Sequence, residues 1–444
     1  MEWFTAPEYW LARQVLQRGT AAIYLIAFVA AVRQFRALLG ERGLLPIPQF
    51  LAHSSFRNSP SIFHFHYSDR FFATVCWVGA AVAAGLVAGA GDLIPLWAVM
   101  LTWLLIWVLY LSIVNVGQAW YSFGWESLLL EAGFLAIFLG NDDVAPPVLV
   151  LWLARWLVFR VEFGAGMIKL RGDRCWRDLT CLYYHHETQP MPGPLSWFFH
   201  HLPKPLHRIE VAGNHFAWLN WLTIILAAGA ISDSAAAAIL PVPAAPALGA
   251  PPEWFVASVI AFTVLVVCLS YWPARNLVSK RQRMNMSYNS CHLVNAYGAF
   301  GTVGRHRDEV VIEGTRDEVV TDHTVWREYG FKGKPGDVGR WPRQFAPYHL
   351  RLDWLMWFAA ISPAYARSWL GPFLIRLLEG DRATLGLLQH NPFPDDPPRH
   401  VRARLYRYRF STWQELRSEH VWWKRTLLGD YVRRVTLSRH STLA

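Results

Sequence analysis

The stretch WLARWLVFRVEFGAGMIKLRGDRCWRDLTCLYYHHETQP, Trp152 to Pro190, decides how the chain is read. Its first half belongs to an apolar run, about residues 147–170, that meets the roughly 20 residues a spanning helix needs. Yet this run carries Arg155, Arg160, Glu162 and Lys169. On a helix Arg155, Glu162 and Lys169 are seven apart, so each falls within roughly 20° of the last and the three form one polar stripe. Ionisable groups are disfavoured against lipid, so the stripe is expected to face a bundle interior or a wet cavity, with Glu162 paired to a neighbouring cation. Lys169 lies where the helix should end, after Gly164-Ala165-Gly166 and before Arg171-Gly172-Asp173-Arg174. A lysine desolvated at a cavity rim can serve as a base, whereas one that snorkels to the interface only anchors the helix; the residues alone leave both readings open.

The rest of the chain has the composition of a membrane protein. Of its 444 residues 53% are hydrophobic and only 17% charged, too apolar for a soluble chain of this length. The 24 tryptophans fit bilayer interfaces. The net charge of +10 sits in loops beside apolar segments, which suits a phospholipid bilayer as partner and excludes nucleic acid, for which no motif is present. Seven spans are expected, at about 19–39, 71–90, 93–115, 124–140, 147–170, 211–231 and 254–272. Glu126 and Glu131 on the fourth are natural partners for Arg155 or Arg160 on the fifth, because a short connection makes the two helices antiparallel neighbours. Residues 1–18 are expected to form a separate interfacial amphipathic helix, with Trp3, Phe4, Trp10 and Leu11 on its apolar side. The acidic start of the chain argues that the first span is retained rather than cleaved.

The fold class is thus a multi-pass α-helical membrane bundle of about seven spans, residues 19–284, followed by a β-rich α+β extramembrane C-terminal domain, residues 285–412. A basic amphipathic tail, residues 413–444, is expected to lie on the membrane. Strands are expected in AYGAFGTVG, DEVVIEGT and WREYGFKGKPG, and in VRARLYRYRF, where Arg402, Arg404, Tyr406, Tyr408 and Phe410 share a face. The extramembrane loop 171–210 concentrates polar candidates: Arg171, Asp173, Arg174, His185, His186, Glu187 and His207, with Glu210, Asn214 and His215 at its far end. No H-E-x-x-H or zinc spacing is present, so no metal and no cofactor is assigned. Cys175 and Cys181 share this loop and can bond if it faces an oxidising compartment. Loops 33–70 and 171–210 and everything after 272 fall on one face and hold nearly all the loop Lys and Arg. Counting charge alone puts that face in the cytoplasm.

One string, GAGMIKLRGDRCWRDLTCLYYHHETQPMPGPLSWFFHHLPKPLHRIEVAGNH (residues 164–215), is joined by AYGAFGTVG, REYGFKGKPGD, PYHLRLDWLMWFAA, NPFPDDPP and RARLYRYRF. Together, over Gly40 to about Phe410, they closely resemble the lipase maturation factor family. The resemblance implies a multi-pass membrane factor of the secretory pathway, chaperone-like rather than enzymatic, that helps secreted lipases or related exported hydrolases reach their active form. It also implies that the large loop and the C-terminal domain meet the client on the lumenal side, against the charge count. Ala- and Arg-rich composition suggests a bacterial inner membrane, with the endoplasmic reticulum as the eukaryotic counterpart. More distantly, AGMIKL followed by Trp176 is similar to the segment of the vitamin K-dependent gamma-carboxylase and HTTM-like membrane proteins that carries their catalytic lysine. That similarity implies Lys169 as base on a lipid-like or quinone-like ligand, with Arg155, Arg160 and Glu162 shaping the pocket.

Overall fold

The computed structural model describes residues 3–209 and 219–437. Glu210, Asn214 and His215 lie outside the described residues. The first half of the chain is helical: α1 (Trp10–Leu38), α2 (Asp69–Val87), α3 (Leu96–Val116), α4 (Gly124–Ala136) and α5 (Val148–Arg171). The short helices of the long loop include α6 (Leu182–Thr188) and α7 (Ser196–His200), and α8 (Leu219–Ala227) and α9 (Glu253–Leu269) come later.

Four helical segments are long and apolar enough to cross a membrane: Pro7–Leu38, Asp69–Val87, Leu96–Val116 and Glu253–Val278. The chain is an integral membrane protein. The other expected spans look different. α4 has only 13 residues, the 24 residues of α5 carry five charged side chains, and α8 is described from Leu219.

Among the described residues no separate amphipathic helix precedes α1, which follows the short turn Pro7–Tyr9 and runs unbroken for 29 residues from Trp10. Its first turns are buried because Arg13, fully enclosed, donates to the carbonyl of Val144 at 2.6 Å and Gln17 to that of Gly140 at 2.7 Å. Those bonds satisfy the connection between α4 and α5, so the polar start of the helix is held inside protein. At the other end of α1, Gln34 accepts from the N–H of Arg351 at 3.1 Å and donates to the carbonyl of His349 at 2.8 Å. The C-terminal domain therefore stands on the end of the bundle where α1 finishes.

That domain is built on one antiparallel sheet of four strands in the order β2-β1-β3-β4: β1 (Arg307–Thr315), β2 (Arg327–Glu328), β3 (His400–Phe410) and β4 (Trp423–Val435). The register Val311↔Arg404 and Ile312↔Ala403 sends Val310, Ile312, Val401 and Ala403 to one face, under α10 (Arg351–Ile361) and α11 (Leu370–Leu378). Val311, Tyr408, Phe410 and Trp423 point to the other face, covered by Trp197 of α7. Because both faces are covered, β1 is buried along nearly its whole length, its charged residues included.

Three expectations about this half change. The tail is not a membrane-surface helix, since after α12 (Trp413–Glu419) residues Trp423–Val435 form β4 and pair along β3. AYGAFGTVG is not a strand but an irregular run pressed on α5, where a Cβ on Gly164 would come within 2.4 Å of the Tyr297 carbonyl oxygen. Of WREYGFKGKPG only Arg327 and Glu328 pair as strand.

Candidate functional site

The charges of α5 divide between two sides of the helix. Arg160 is buried against Glu131 of α4, in a direct ion pair, and donates to the carbonyl of Asn295 at 2.8 Å. Glu131 also accepts from the N–H of Asn295 at 3.1 Å and from the hydroxyl of Tyr297 at 2.8 Å. One carboxylate thus ties α4, α5 and the 292–297 segment together, and at membrane depth such pairing is what makes the charges tolerable.

The expected stripe is a different matter. Arg155 is half-buried over the rings of Tyr9 and Trp152, at 5.1 and 4.8 Å, Glu162 is exposed, and Lys169 rests its ammonium 4.8 Å above the ring of Trp176. The stripe does not point into the bundle. Arg160, Gly164 and Ile168 repeat every four residues and present one side to the protein, and Glu162 is about 200° round the helix from Arg160. Since glycines at 164 and 172 let the 297–301 backbone close on that side, the inward direction was taken before the stripe could claim it. Lys169 has no place in the wall of the large cavity beside α5, which is formed on this helix by Val161 and Ala165.

The loop after α5 is pinned at several points. Arg171 donates to the carbonyl of Leu277 at 2.7 Å and to Gln282 at 2.8 Å. Asp173 caps the next turn by accepting from the N–H of Cys175 at 3.0 Å, and that bond, with Arg305 at 3.0 Å, holds its carboxyl below the usual range. Cys175 and Cys181 form a disulfide packed on Val303. With Asp173 these thiols are the one grouping of three potential metal ligands among the described residues, and the bond between them removes both thiolates. Arg174 makes only an exposed pair with Asp178 at 3.3 Å.

The loop histidines are gathered around His186, whose ring lies 6.5 Å from that of His185 and 5.7 Å from that of His207. His185 meets Phe300 edge-on, and His186 stacks between Phe199 and His207, all within aromatic packing. Glu187 accepts from the N–H of Phe410 at 2.7 Å, and burial raises its pKa. His200, 3.7 Å from Glu187, is pushed down to about 4 by burial and by the neighbouring histidines.

The residues that fix this region were not among the expected ones. Arg307, fully buried, donates to the carbonyls of Glu187 and Pro190 at 2.9 Å each and to that of Gln189, while pairing with Glu309 at 2.7 Å. Lys334 binds the same Glu309 at 2.8 Å. Arg351 reaches Glu126 of α4 at 2.7 Å and the carbonyl of Trp120 at 2.6 Å, with its guanidinium 3.4 Å from the centre of the Tyr121 ring. The available signal was charged residues set against apolar ones, Arg307 and Glu309 beside VVI in RDEVVIEGT and Arg351 and Asp353 within LRLDWLMW.

Trp197 is buried beneath the sheet, donating to the carbonyl of Ser411 at 3.0 Å. Around it an aromatic surface opens outward. Phe198 is 38% exposed, Trp413 49% and Trp341 49%, and Leu195 is also exposed. Phe198 lies 6.2 Å from both Trp413 and Trp422, and Trp341 stacks on Trp422 at 5.6 Å. The patch draws on the loop, the 335–345 segment and the end of the sheet together. Its chemistry is suited to holding a partner, since it carries aromatic faces and no nucleophile.

Residues 11–217 match the family model described as lipase maturation factor transmembrane domain, and residues 293–433 match the lipase maturation factor C-terminal domain. Among curated proteins, the chain is 38% identical to lipase maturation factor 1 of Homo sapiens over 95% of this chain and 87% of the relative. It is 27% identical to lipase maturation factor 2 of Xenopus laevis over 97% of this chain and 83% of the relative. No solved structure matches.

Proposed function

Because this chain belongs to the lipase maturation factor family, we propose that it acts in lipase maturation as a multi-pass membrane factor, holding a secreted lipase or related exported hydrolase on its extramembrane face while that client folds and assembles. The aromatic patch of Leu195, Phe198, Trp341 and Trp413 carries this reading. Exposed apolar surface on an extramembrane domain is unfavourable unless something binds it, and aromatic side chains supply most of the energy at protein interfaces. Ion pairs at its edge, Arg409 with Glu415 and Lys424 with Glu419, form the polar rim such a contact needs. Of the loop, Glu187 and Trp197 hold the end of β3 beneath the patch, while Arg171 and Asp173 anchor the start of the loop.

Seven crossings remain our proposal, with α4, α5 and α8 joining the four long apolar segments. α5 can cross because Glu131 neutralises Arg160 inside the bundle. The loop and the C-terminal domain are assigned to the oxidising side, the periplasmic face of a bacterial inner membrane or its endoplasmic reticulum counterpart. The Cys175–Cys181 bond supports this side, since disulfides persist where thiols are not kept reduced. The basic count carries less weight, because Arg307, Arg351, Arg402, Arg407, Arg409 and Arg425 are all already paired with carboxylates of the fold. An enzyme using Lys169 as base is not favoured.

Deletion of the chain in its host, followed by measurement of secreted lipase activity per unit of secreted lipase protein, tests the role. A fall that wild-type chain restores, with client recovered by pull-down from native membranes, is expected. Normal specific activity of every secreted lipase and esterase in the deletion strain would sink it.

A further inference from the structure

Between the bundle and the C-terminal domain lies a cavity of about 600 Å³. Its walls come from different depths of the molecule. Val161 and Ala165 belong to α5 and Leu219 opens α8, while Phe123 and Trp125 come from the start of α4. From the domain side, Trp354, Trp357, Phe358 and Ile361 of α10 close it, and the 298–304 backbone of AYGAFGTVG forms the remaining side. The indole N–H of Trp357 is committed to the carbonyl of Thr188 at 3.1 Å, so this ring offers the cavity an apolar face. Thr302, Gly304 and His306, all exposed, lie along the lining and supply a polar edge.

We propose that this cavity binds one acyl chain of a single-chain lipid, with its anionic or zwitterionic head at the Thr302–His306 edge. A space of about 600 Å³ with an open edge is large enough to take one acyl chain while its head stays outside. The volume also lies within the roughly 300–1,000 Å³ of ligand sites, and the lining is mostly apolar, with Gln189, Asn285, Arg307 and Asp308 among its polar side chains. A hydrocarbon chain is preferred over a client side chain because three helices of the membrane half, α4, α5 and α8, contribute to the wall. No bond is made or broken, and Lys169 takes no part.

The test uses the full chain in phosphatidylcholine nanodiscs, labelled with a diazirine-bearing palmitic acid and, in a second arm, a diazirine-bearing lysophosphatidylcholine. Mass spectrometry of the adducts is expected to find Val161–Ala165 and residues 354–361, with labelling displaced by excess unlabelled lipid of the same class. Whichever arm saturates at lower concentration names the head. Ala165→Trp, which fills the cavity, is expected to reduce cavity labelling at least ten-fold while adducts on the outward Phe159 and Phe163 persist. Ile361→Trp narrows the rim at a 58% exposed position and serves if Ala165→Trp fails to fold. Adducts confined to the outward surface in both arms, or cavity adducts that neither variant and no competitor reduces, would overturn the proposal. The readout involves no lipase, so its failure and that of the client role are separable.

Discussion

The seam that joins bundle to C-terminal domain and the aromatic patch at the edge of the sheet are opposites. The charges of the seam are buried and paired, Glu126 with Arg351 across it, Glu131 with Arg160 on the bundle side and Glu309 with Arg307 and Lys334 on the domain side. The patch is uncharged and open, held by stacking among its own rings. Buried ion pairs gain little net stability over apolar residues of the same shape, but they strongly disfavour any arrangement that leaves one partner unpaired. Charge in this protein therefore fixes position, and exposed apolar surface marks the place left for a partner.

The contrast can be broken first at Arg351. Arg351→Met leaves Glu126 buried without its cation and should destabilise the fold by about 3–5 kcal/mol, seen as loss of monodisperse protein in detergent and a lower Tm. Restoration of full stability by Glu126→Gln in the same chain would support the account, and a neutral Arg351→Met would end it.

Next in size is a pH effect at the same seam. His349 is fully enclosed, and burial together with Arg351 pushes it down to about 4. A histidine near 6.5 when unfolded and about 4 when folded favours the native state above pH 6.5, and that advantage is lost as pH falls, at up to about 1.4 kcal/mol per unit and about 3 kcal/mol in all by pH 4. Unfolding measured from pH 7.5 to 4.5 should show this slope, and His349→Gln should flatten it.

At the patch the expectation reverses. Phe198→Asp with Trp413→Asp should reduce lipase activation at least ten-fold, about 1.4 kcal/mol of interaction, without lowering Tm, as read by secreted lipase activity beside thermal unfolding. A parallel loss of stability would place these rings in the core instead. Smallest of all are the outward charges of α5: Lys169→Arg and Glu162→Gln should change stability by under about 0.5 kcal/mol and leave activation intact. A large loss of activation in Lys169→Arg, with folding unchanged, would revive a chemical role for that amine.

Much of this was legible along the chain. The pairing of α4 with α5 through Glu131 and Arg160 follows from a short connection and unlike charges. β1 and β3 follow from β-branched and alternating residues. The heptad spacing of Arg155, Glu162 and Lys169 is equally plain, but spacing does not say which side of a helix turns inward. That was set by Gly164 and Gly172, eight residues apart on the opposite side, where backbone approaches backbone. β4 was obscured because Gly429 and the register shifts opposite Ala403 and Leu405 interrupt its alternation, leaving WKRTLLGDYVRRV to look like a basic helix. Arg351 and Glu126 are 225 residues apart, and no local pattern announces a pairing at that distance.

Arg307 grips three carbonyls within four residues, those of Glu187, Gln189 and Pro190, from inside a strand more than a hundred positions downstream. In a chimera that exchanges parts with a relative, the loop and the sheet would therefore have to travel as one cassette. A sheet transplanted without its own loop would present a stranded guanidinium, and a loop transplanted alone would arrive with three carbonyls and nothing to gather them.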